Sequence, residues 1–237
     1  MRTKWESETE LANGVVAYLR GAGWTVYPEL HDIDIIATRP DPNAPNGLLI
    51  TGIECKQHFN LTVLHQAWDK QRYVDQMSVA VSHGYQDHEN FGCRIAQKFG
   101  LGVLYVSKNQ NYMDQTFSYP VKLQEEAVVE YRRLFYVDKL LHPQAENYSE
   151  PGRKGGKQWS RFKMTVFYLV EYAKEHPGCT IKDALLNVKH HYSSPYSARA
   201  CISKRIKDGT IKELKVENNL LYVTCLNSNL DVPVLSS

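Results

Sequence analysis

The chain has 237 residues, of which 43% are hydrophobic and 23% are charged, a composition that excludes a disordered or fibrous protein. It contains no apolar run long enough to span a bilayer, and the first ten residues are charged where a signal peptide would be apolar, so we expect a cytoplasmic protein with no membrane partner. The five cysteines are an odd number without a C-x-x-C pair, which argues against a disulfide framework or a zinc knuckle.

The first 107 residues predict the order helix, three strands, helix, strand, helix, strand. Apolar residues recur at three- and four-residue spacing over residues 6–19, which predicts an amphipathic helix. Short segments rich in β-branched and aromatic residues predict strands, at residues 24–30, 32–38, 48–56, 77–82 and 101–107. Two further helices are predicted, at residues 61–76 and 90–100. This order predicts an α/β fold in which helices cover the faces of a mixed sheet.

A second domain is predicted after a linker. Residues 143–157 are rich in proline, glycine and polar side chains and have no apolar period. Beyond them the pattern predicts three helices and a hairpin, at residues 161–176, 180–188, 194–209, 210–216 and 220–226. Three helices followed by a hairpin predict a winged helix-turn-helix. The expected domains are therefore residues 1–142 and 158–226, with a tail at 227–237.

The net charge of +2 hides an uneven distribution. Residues 1–150 hold 14 Lys and Arg against 19 Asp and Glu, a balance of −5, whereas residues 151–226 hold 14 against 6, a balance of +8. A basic C-terminal third is typical of a domain that contacts phosphate, although an ordinary solvated surface can have the same balance. The third helix of this part has a polar side suited to double-stranded DNA, consisting of Tyr196, Ser197, Arg199, Ser203, Lys204 and Lys207. The alternative is a winged helix that docks a protein.

Candidate catalytic residues lie on two of the predicted strands. In "GIECKQHFN", Glu54 and Lys56 are two positions apart and therefore point to the same face of a strand. Asp34, in "DIDIIAT", precedes Glu54 by 20 residues across a predicted hairpin. Two adjacent carboxylates repel each other unless a cation lies between them, and their oxygens suit Mg²⁺ or Mn²⁺. A surface ion pair between Glu54 and Lys56 on an edge strand is the simpler alternative.

The order Asp34, then "IECK", resembles the PD-(D/E)xK nuclease superfamily. The resemblance extends to an acid on the first helix, Glu8 or Glu10, and to a glutamine on the helix after the motif, Gln66. More narrowly, the chain is similar over most of its length to a group of bacterial PD-(D/E)xK phosphodiesterases with C-terminal winged-helix segments. It departs from the superfamily's name at Ile33, which stands where a proline would precede the aspartate.

The resemblance implies a restriction-endonuclease-like sheet and a divalent-metal-dependent DNA endonuclease. Asp34 and Glu54 would hold Mg²⁺, with Mn²⁺ as a substitute, and Lys56 would act on the attacking water. Glu8 or Glu10, together with Gln66, would assist. A homodimer or a complex with a transposase-like protein would be compatible with this function. Two alternatives stay open: a nuclease that nicks transposon ends beside a transposase, and a non-catalytic DNA-binding or assembly protein.

Overall fold

A computed structural model describes residues 5–83, 86–110, 117–131, 137–147, 149 and 159–224. The predicted tail and residues 150–157 of the predicted linker lie outside these ranges. The chain divides into two compact units, Met1–Trp159 and Ser160–Ser237. Within the ranges given, no helix combines the length and the apolar character that crossing a bilayer requires.

The first unit is built on a mixed sheet of six strands. Its helices are α1 (Glu8–Gly21), α2 (Leu61–Lys70) and α3 (Gln86–Lys98). Its strands are β1 (Thr25–Leu30), β2 (Ile33–Pro40), β3 (Leu48–Lys56), β4 (Gln76–Ser82), β5 (Gly102–Val106), β6 (Asn109–Gln110), β7 (Phe117–Ser118) and β8 (Val121–Glu125). The sheet order is β1-β2-β3-β4-β5-β8, and β6 and β7 form a separate antiparallel pair. The pairs β1-β2, β2-β3 and β5-β8 are antiparallel, whereas β3-β4 and β4-β5 are parallel. The predicted α/β fold with helices flanking a mixed sheet is confirmed.

Successive side chains of β2 and β3 point to opposite faces of the sheet, so that one face packs in the core and the other carries the candidate site. Ile35, Ile53 and Cys55 are buried on one face, where they belong to the same core as Leu11 and Val15 of α1. Burying an aliphatic side chain of this size contributes about 1.5–3 kcal/mol, so this face fixes the register of the two strands. The intervening residues of both strands therefore point away from that core.

The end of helix α2 and the edge strand β8 differ from the sequence prediction. Helix α2 ends at Lys70 and is followed by a short 3₁₀ turn, Gln71–Tyr73, although the prediction extended the helix to residue 76. The reason is Asp75, whose main-chain N–H donates to the carbonyl of Ile50 and whose carboxylate accepts from the N–H of Ile50, both at 2.8 Å. These two bonds draw the chain against β3 and start β4. The edge strand β8 was not predicted from the sequence.

The second unit consists of three helices and a hairpin. Its elements are α4 (Arg161–Glu175), α5 (Ile181–Asn187), α6 (Pro195–Lys207), β9 (Leu214–Glu217) and β10 (Leu220–Val223). Leu169, Leu185, Ile202 and Leu221 are buried together in one core that draws on all three helices and the hairpin. Between α4 and α5, Thr180 forms an isolated antiparallel bridge with Leu220, so a third strand-like segment lies beside β10.

Candidate active site

The hairpin of β2 and β3 brings two carboxylates to facing positions. Ile35 is paired with Ile53, so in the same register Asp34 lies opposite Glu54. The Oδ2 atom of Asp34 accepts a hydrogen bond of 2.8 Å from the main-chain N–H of Cys55. This bond holds the Asp34 side chain against β3, the strand that carries Glu54. Asp34 lies one residue beyond Ile35, where the regular pairing of β2 with β3 ends.

Burial and proximity make this pair of carboxylates electrostatically unfavourable. Glu54 is only 2% exposed. Burial, and next the charge of Asp34, raise the pKa of Glu54 to about 7. Burial also raises the pKa of Asp34, against the opposing effects of the Cys55 N–H and of two nearby lysines. Two acids that resist ionisation side by side form a position that favours a cation.

Lys56 lies at the end of β3 and contacts the start of α1. Its Nζ atom is 2.7 Å from Oε2 of Glu8. Burial lowers the pKa of Lys56, but the bond to Glu8 and the charges of the acid pair outweigh it, so the pKa lies above its ordinary value. Lys56 is therefore a cationic hydrogen-bond donor in its contact with Glu8.

The two acids of α1 have different partners. Ser7 caps the helix by accepting from the N–H of Glu10, so α1 begins next to the candidate site. Glu8 contacts Lys56, whereas the Oε1 atom of Glu10 lies 2.6 Å from Nζ of the buried Lys108 and 3.0 Å from the hydroxyl of Tyr119. Of the two candidates from the sequence, only Glu8 lies against the motif lysine.

Gln66 is on α2, one helical turn before Lys70. Its Oε1 atom is buried and has no hydrogen-bond partner within the described part of the chain. Because residues four apart share a helix face, Gln66 lies on the same side of α2 as Lys70, which contacts Glu54. The candidate glutamine is thus on the helix face that approaches the acid pair.

Lys70 was missed by sequence reasoning. Its Nζ atom is 2.8 Å from Oε1 of Glu54, and it also donates to the main-chain carbonyl of Asp32. The spacing from Gln66 was the available signal, since a glutamine expected at the site implies that the residue one turn later shares its helix face.

Strained backbone lies beside the site at the end of β1 and in the turn that joins it to β2. Glu29, His31 and Asp32 all have positive φ angles, of 52°, 56° and 60°, which are uncommon for residues other than glycine. Glu29 is buried and, by the register of β1 with β2, lies opposite Asp34. Its charge contributes to raising the pKa of the Cys55 thiol, after burial and the charges of Asp34 and Glu54. Glu29 is therefore within electrostatic reach of the pair, whereas the Asp32 side chain is exposed.

The donor set fits a hard divalent cation. Carboxylate oxygens from Asp34 and Glu54 suit Mg²⁺ or Mn²⁺, since Mg²⁺ keeps several waters and commonly uses only one or two protein carboxylates. Within the ranges that the structure describes, no three His, Cys, Asp or Glu side chains are grouped so that they alone could hold a metal ion. Any cation bound here would complete its coordination with water or with substrate.

The outer side of α6 is polar and basic. Tyr196 is 85% exposed, and the side chains of Arg199, Lys204 and Lys207 are also exposed, whereas Ala198 and Ile202 are buried on the opposite side. The other two candidates on this face are less available. Ser203 is half-buried, and the Ser197 hydroxyl donates to the carbonyl of Ser194, which caps the helix.

One basic residue of α6 belongs to a different face. The guanidinium of Arg205 lies 4.4 Å from the centre of the Phe162 ring and is therefore held against its own unit. The exposed cations of the helix are thus limited to one side.

Comparison with known proteins finds no matching family model, no similar curated protein and no similar solved structure.

Proposed function

We propose that the protein is a divalent-metal-dependent endonuclease that hydrolyses phosphodiester bonds in double-stranded DNA. The observation that carries this proposal is the pair formed by the half-buried Asp34 and the buried Glu54, which lies beside the cationic Lys56. A structural ion pair between Glu54 and a lysine would not require a second carboxylate next to Glu54, because the second acid costs stability.

The fold of the first unit supports the same proposal. Helix α1 precedes an antiparallel β1-β2-β3 meander, which continues into the parallel pairs β3-β4 and β4-β5. This is the order that a restriction-endonuclease-like PD-(D/E)xK domain implies, with the acid pair on the central hairpin and Glu8 on the preceding helix. We therefore assign the first unit to that fold as part of the proposal.

The chemistry assigned to each residue follows from its contacts. Asp34 and Glu54 would hold Mg²⁺ or Mn²⁺, and a divalent cation there lowers the pKa of a bound water and stabilises negative charge on the scissile phosphate. Lys56 would donate a hydrogen bond to the attacking water or to a phosphate oxygen, where its positive charge offsets the charge that develops in the transition state. Glu8 orients the Lys56 ammonium. The unpartnered Oε1 of Gln66 is available as an acceptor for the water.

DNA binding is assigned to the second unit. Its order of elements, with the Thr180 bridge to Leu220 between α4 and α5 and the hairpin after α6, supports a winged helix. In such a domain α6 is the recognition helix, and its exposed cations would neutralise phosphates. Residues 1–150, with their balance of −5, would be repelled by the DNA backbone, so the second unit would supply most of the affinity.

The test uses purified full-length protein and supercoiled plasmid. We expect relaxed or linear plasmid with Mg²⁺ or Mn²⁺ and none with EDTA, and we expect Asp34→Asn and Glu54→Gln to abolish cleavage while retaining duplex binding. Glu126→Gln, at an exposed position directly after β8 in the first unit, is the matched control and should cleave normally. Duplex binding without cleavage in the wild type under every metal condition would instead identify a non-catalytic DNA-binding protein.

A further inference from the structure

Two lysines contact the candidate site, and their partners differ in kind. Lys56 is paired with Glu8, which is not one of the two proposed metal ligands. Lys70 is paired with Glu54, which is one of them. A cation that binds Glu54 would leave the first pair intact but would compete with the second.

Lys70 occupies the part of the site where a metal would be needed. Its ammonium is 2.8 Å from Oε1 of Glu54, and its charge lowers the pKa of Asp34 more than the charge of Lys56 does, after the larger effects of burial and the Cys55 N–H. The Lys70 ammonium is therefore the direct counter-ion of Glu54. It also donates to the main-chain carbonyl of Asp32, so a single side chain satisfies a charged and a neutral acceptor.

The Lys70 side chain is also able to move away from Glu54 into solvent. It is 21% exposed, whereas the Glu54 carboxylate that it contacts is 3% exposed. A lysine has a flexible four-carbon stem and a strongly hydrated head group, so withdrawal of the ammonium into water costs less than exposure of the carboxylate would. A carboxylate oxygen engaged by an ammonium is a poorer metal ligand than a free one.

We propose that Lys70 is an internal counter-ion that occupies the cation position of the Asp34 and Glu54 pair until a divalent metal displaces it. This inference rests on the proposed function, because it takes the two carboxylates as the metal ligands. In the metal-free protein, Lys70 limits repulsion between the acids. When metal binds, the ammonium is released from Glu54. The free energy that this release requires weakens the observed metal affinity.

The opposite arrangement makes a distinct prediction. If Lys70 instead served to link α2 permanently to the β1-β2 turn, its removal would let Glu54 move or become protonated. Metal binding would then weaken. A Lys70 that metal displaces and a Lys70 that stays in place therefore predict opposite changes in metal affinity when the residue is replaced.

The first experiment is calorimetric titration of the full-length protein with Mn²⁺ at pH 8. A net hydrogen bond between charged groups corresponds to roughly a tenfold to hundredfold factor in an equilibrium constant, so Lys70→Gln should bind Mn²⁺ at least about tenfold more tightly than the wild type. Lys70→Arg keeps a cation and should bind nearly as weakly as the wild type. The control Lys98→Gln, at an exposed position on α3, should be unchanged. Equal or weaker binding by Lys70→Gln would overturn the proposal.

The main comparison of the second experiment is made on the wild-type protein, so it does not depend on the folding of a variant. Acetylation of each lysine is followed by mass spectrometry, in EDTA and with saturating Mn²⁺. Release of the ammonium should make Lys70 react several times faster with Mn²⁺, whereas the exposed Lys98 should react at the same rate in both conditions. The Mn²⁺ effect on Lys70 should disappear in Glu54→Gln.

The outcomes separate this inference from the function on which it rests. If Mn²⁺ binds but the reactivity of Lys70 and the affinity of Lys70→Gln do not change, displacement is refuted and the metal site stands. If no variant and no wild-type sample binds Mn²⁺, the metal site and the displacement are both refuted.

Discussion

In the absence of metal, the buried carboxylate of Glu54 should make the first unit less stable as the pH rises. Its pKa is about 7 in the folded protein and 4.5 in its ordinary state. Between these values the folded chain holds a proton that the unfolded chain has released, so the free energy of unfolding falls with rising pH. This is the reverse of the usual behaviour of a carboxylate. At 1.36 kcal/mol for each pKa unit, the loss is about 3 kcal/mol across the window from about pH 4.5 to about pH 7.

Glu54→Gln removes this titration while keeping the shape of the side chain. The variant should match the wild type near pH 4.5 and should be more stable by about 3 kcal/mol at pH 8 in EDTA. Glu10→Gln provides a control of opposite sign. Burial raises the pKa of Glu10, but the bonds from Lys108, the Glu6 N–H and Tyr119 lower it further, to below its ordinary value. Glu10 therefore stabilises the fold at neutral pH, and its replacement should destabilise the protein at pH 8.

Tryptophan fluorescence can follow this unit separately, because all four tryptophans of the chain lie within it, at positions 5, 24, 68 and 159. Urea titrations in EDTA at pH 5, 6, 7 and 8 would give the free energy of unfolding of the first unit for each variant. If the wild type and Glu54→Gln show the same dependence on pH, the folded protein does not raise the pKa of Glu54, and the two carboxylates do not favour a cation.

Three further predictions concern cleavage and DNA binding. Lys56→Met should lower the cleavage rate by about 10²–10³-fold with Mn²⁺ affinity retained, since the ammonium acts on charge that develops only in the transition state. Glu8→Gln should lower the rate less, because it leaves Lys56 in place but poorly oriented. Replacing the three exposed cations of α6 with alanine should weaken duplex binding and flatten its dependence on salt by about one unit for each phosphate that is no longer neutralised; the three are Arg199, Lys204 and Lys207.

Each of these three predictions has a control variant or an outcome that would contradict it. Lys98→Met should cleave like the wild type, and loss of Mn²⁺ binding in Lys56→Met would mean that the lysine holds the site together rather than acting in the reaction. Lys174→Ala, on α4, should leave the salt dependence unchanged in fluorescence anisotropy of a labelled duplex. Unchanged affinity and slope in the triple variant would indicate that α6 docks a protein, and a transposase-like partner would then become the leading interpretation.

The strands that carry the acid pair could be predicted because their signal is local. The isoleucines around Asp34, together with Ile50 and Ile53, mark two buried strands, and the period of two puts Glu54 and Lys56 on one face. Residues in a hairpin are neighbours in sequence as well as in space, so a local sequence pattern is enough to predict which of them meet.

Contacts made by helices from outside the hairpin were harder to predict. The sequence left Glu8 and Glu10 as equal candidates, because both lie in the first turn of α1 and only the packing of that helix decides which one reaches Lys56. Lys70 was missed because it follows the motif by 14 residues, on a helix whose face toward β3 is determined by tertiary packing.

Strand β8 had no signal of the kind that identifies a buried strand. Its residues, "VKLQE", are mostly exposed, so no apolar period marks them. The strand forms because β5 offers an unpaired edge, and main-chain hydrogen bonding satisfies that edge whatever the side chains are.

The pairing of Asp34 with Glu54 also has a consequence for the order in which the protein folds. The two carboxylates are brought together by a hairpin whose contacts span about 20 residues, and such local contacts form early. A slip of one residue in that hairpin would turn Glu54 toward α1 and Ile53 toward the site, so the register of one local turn decides whether the site exists at all. The acids, both lysines and Glu8 all lie between residues 8 and 70, before β4 begins at Gln76. During synthesis, a nascent chain therefore contains every charged group of the site before the parallel half of the sheet has been made.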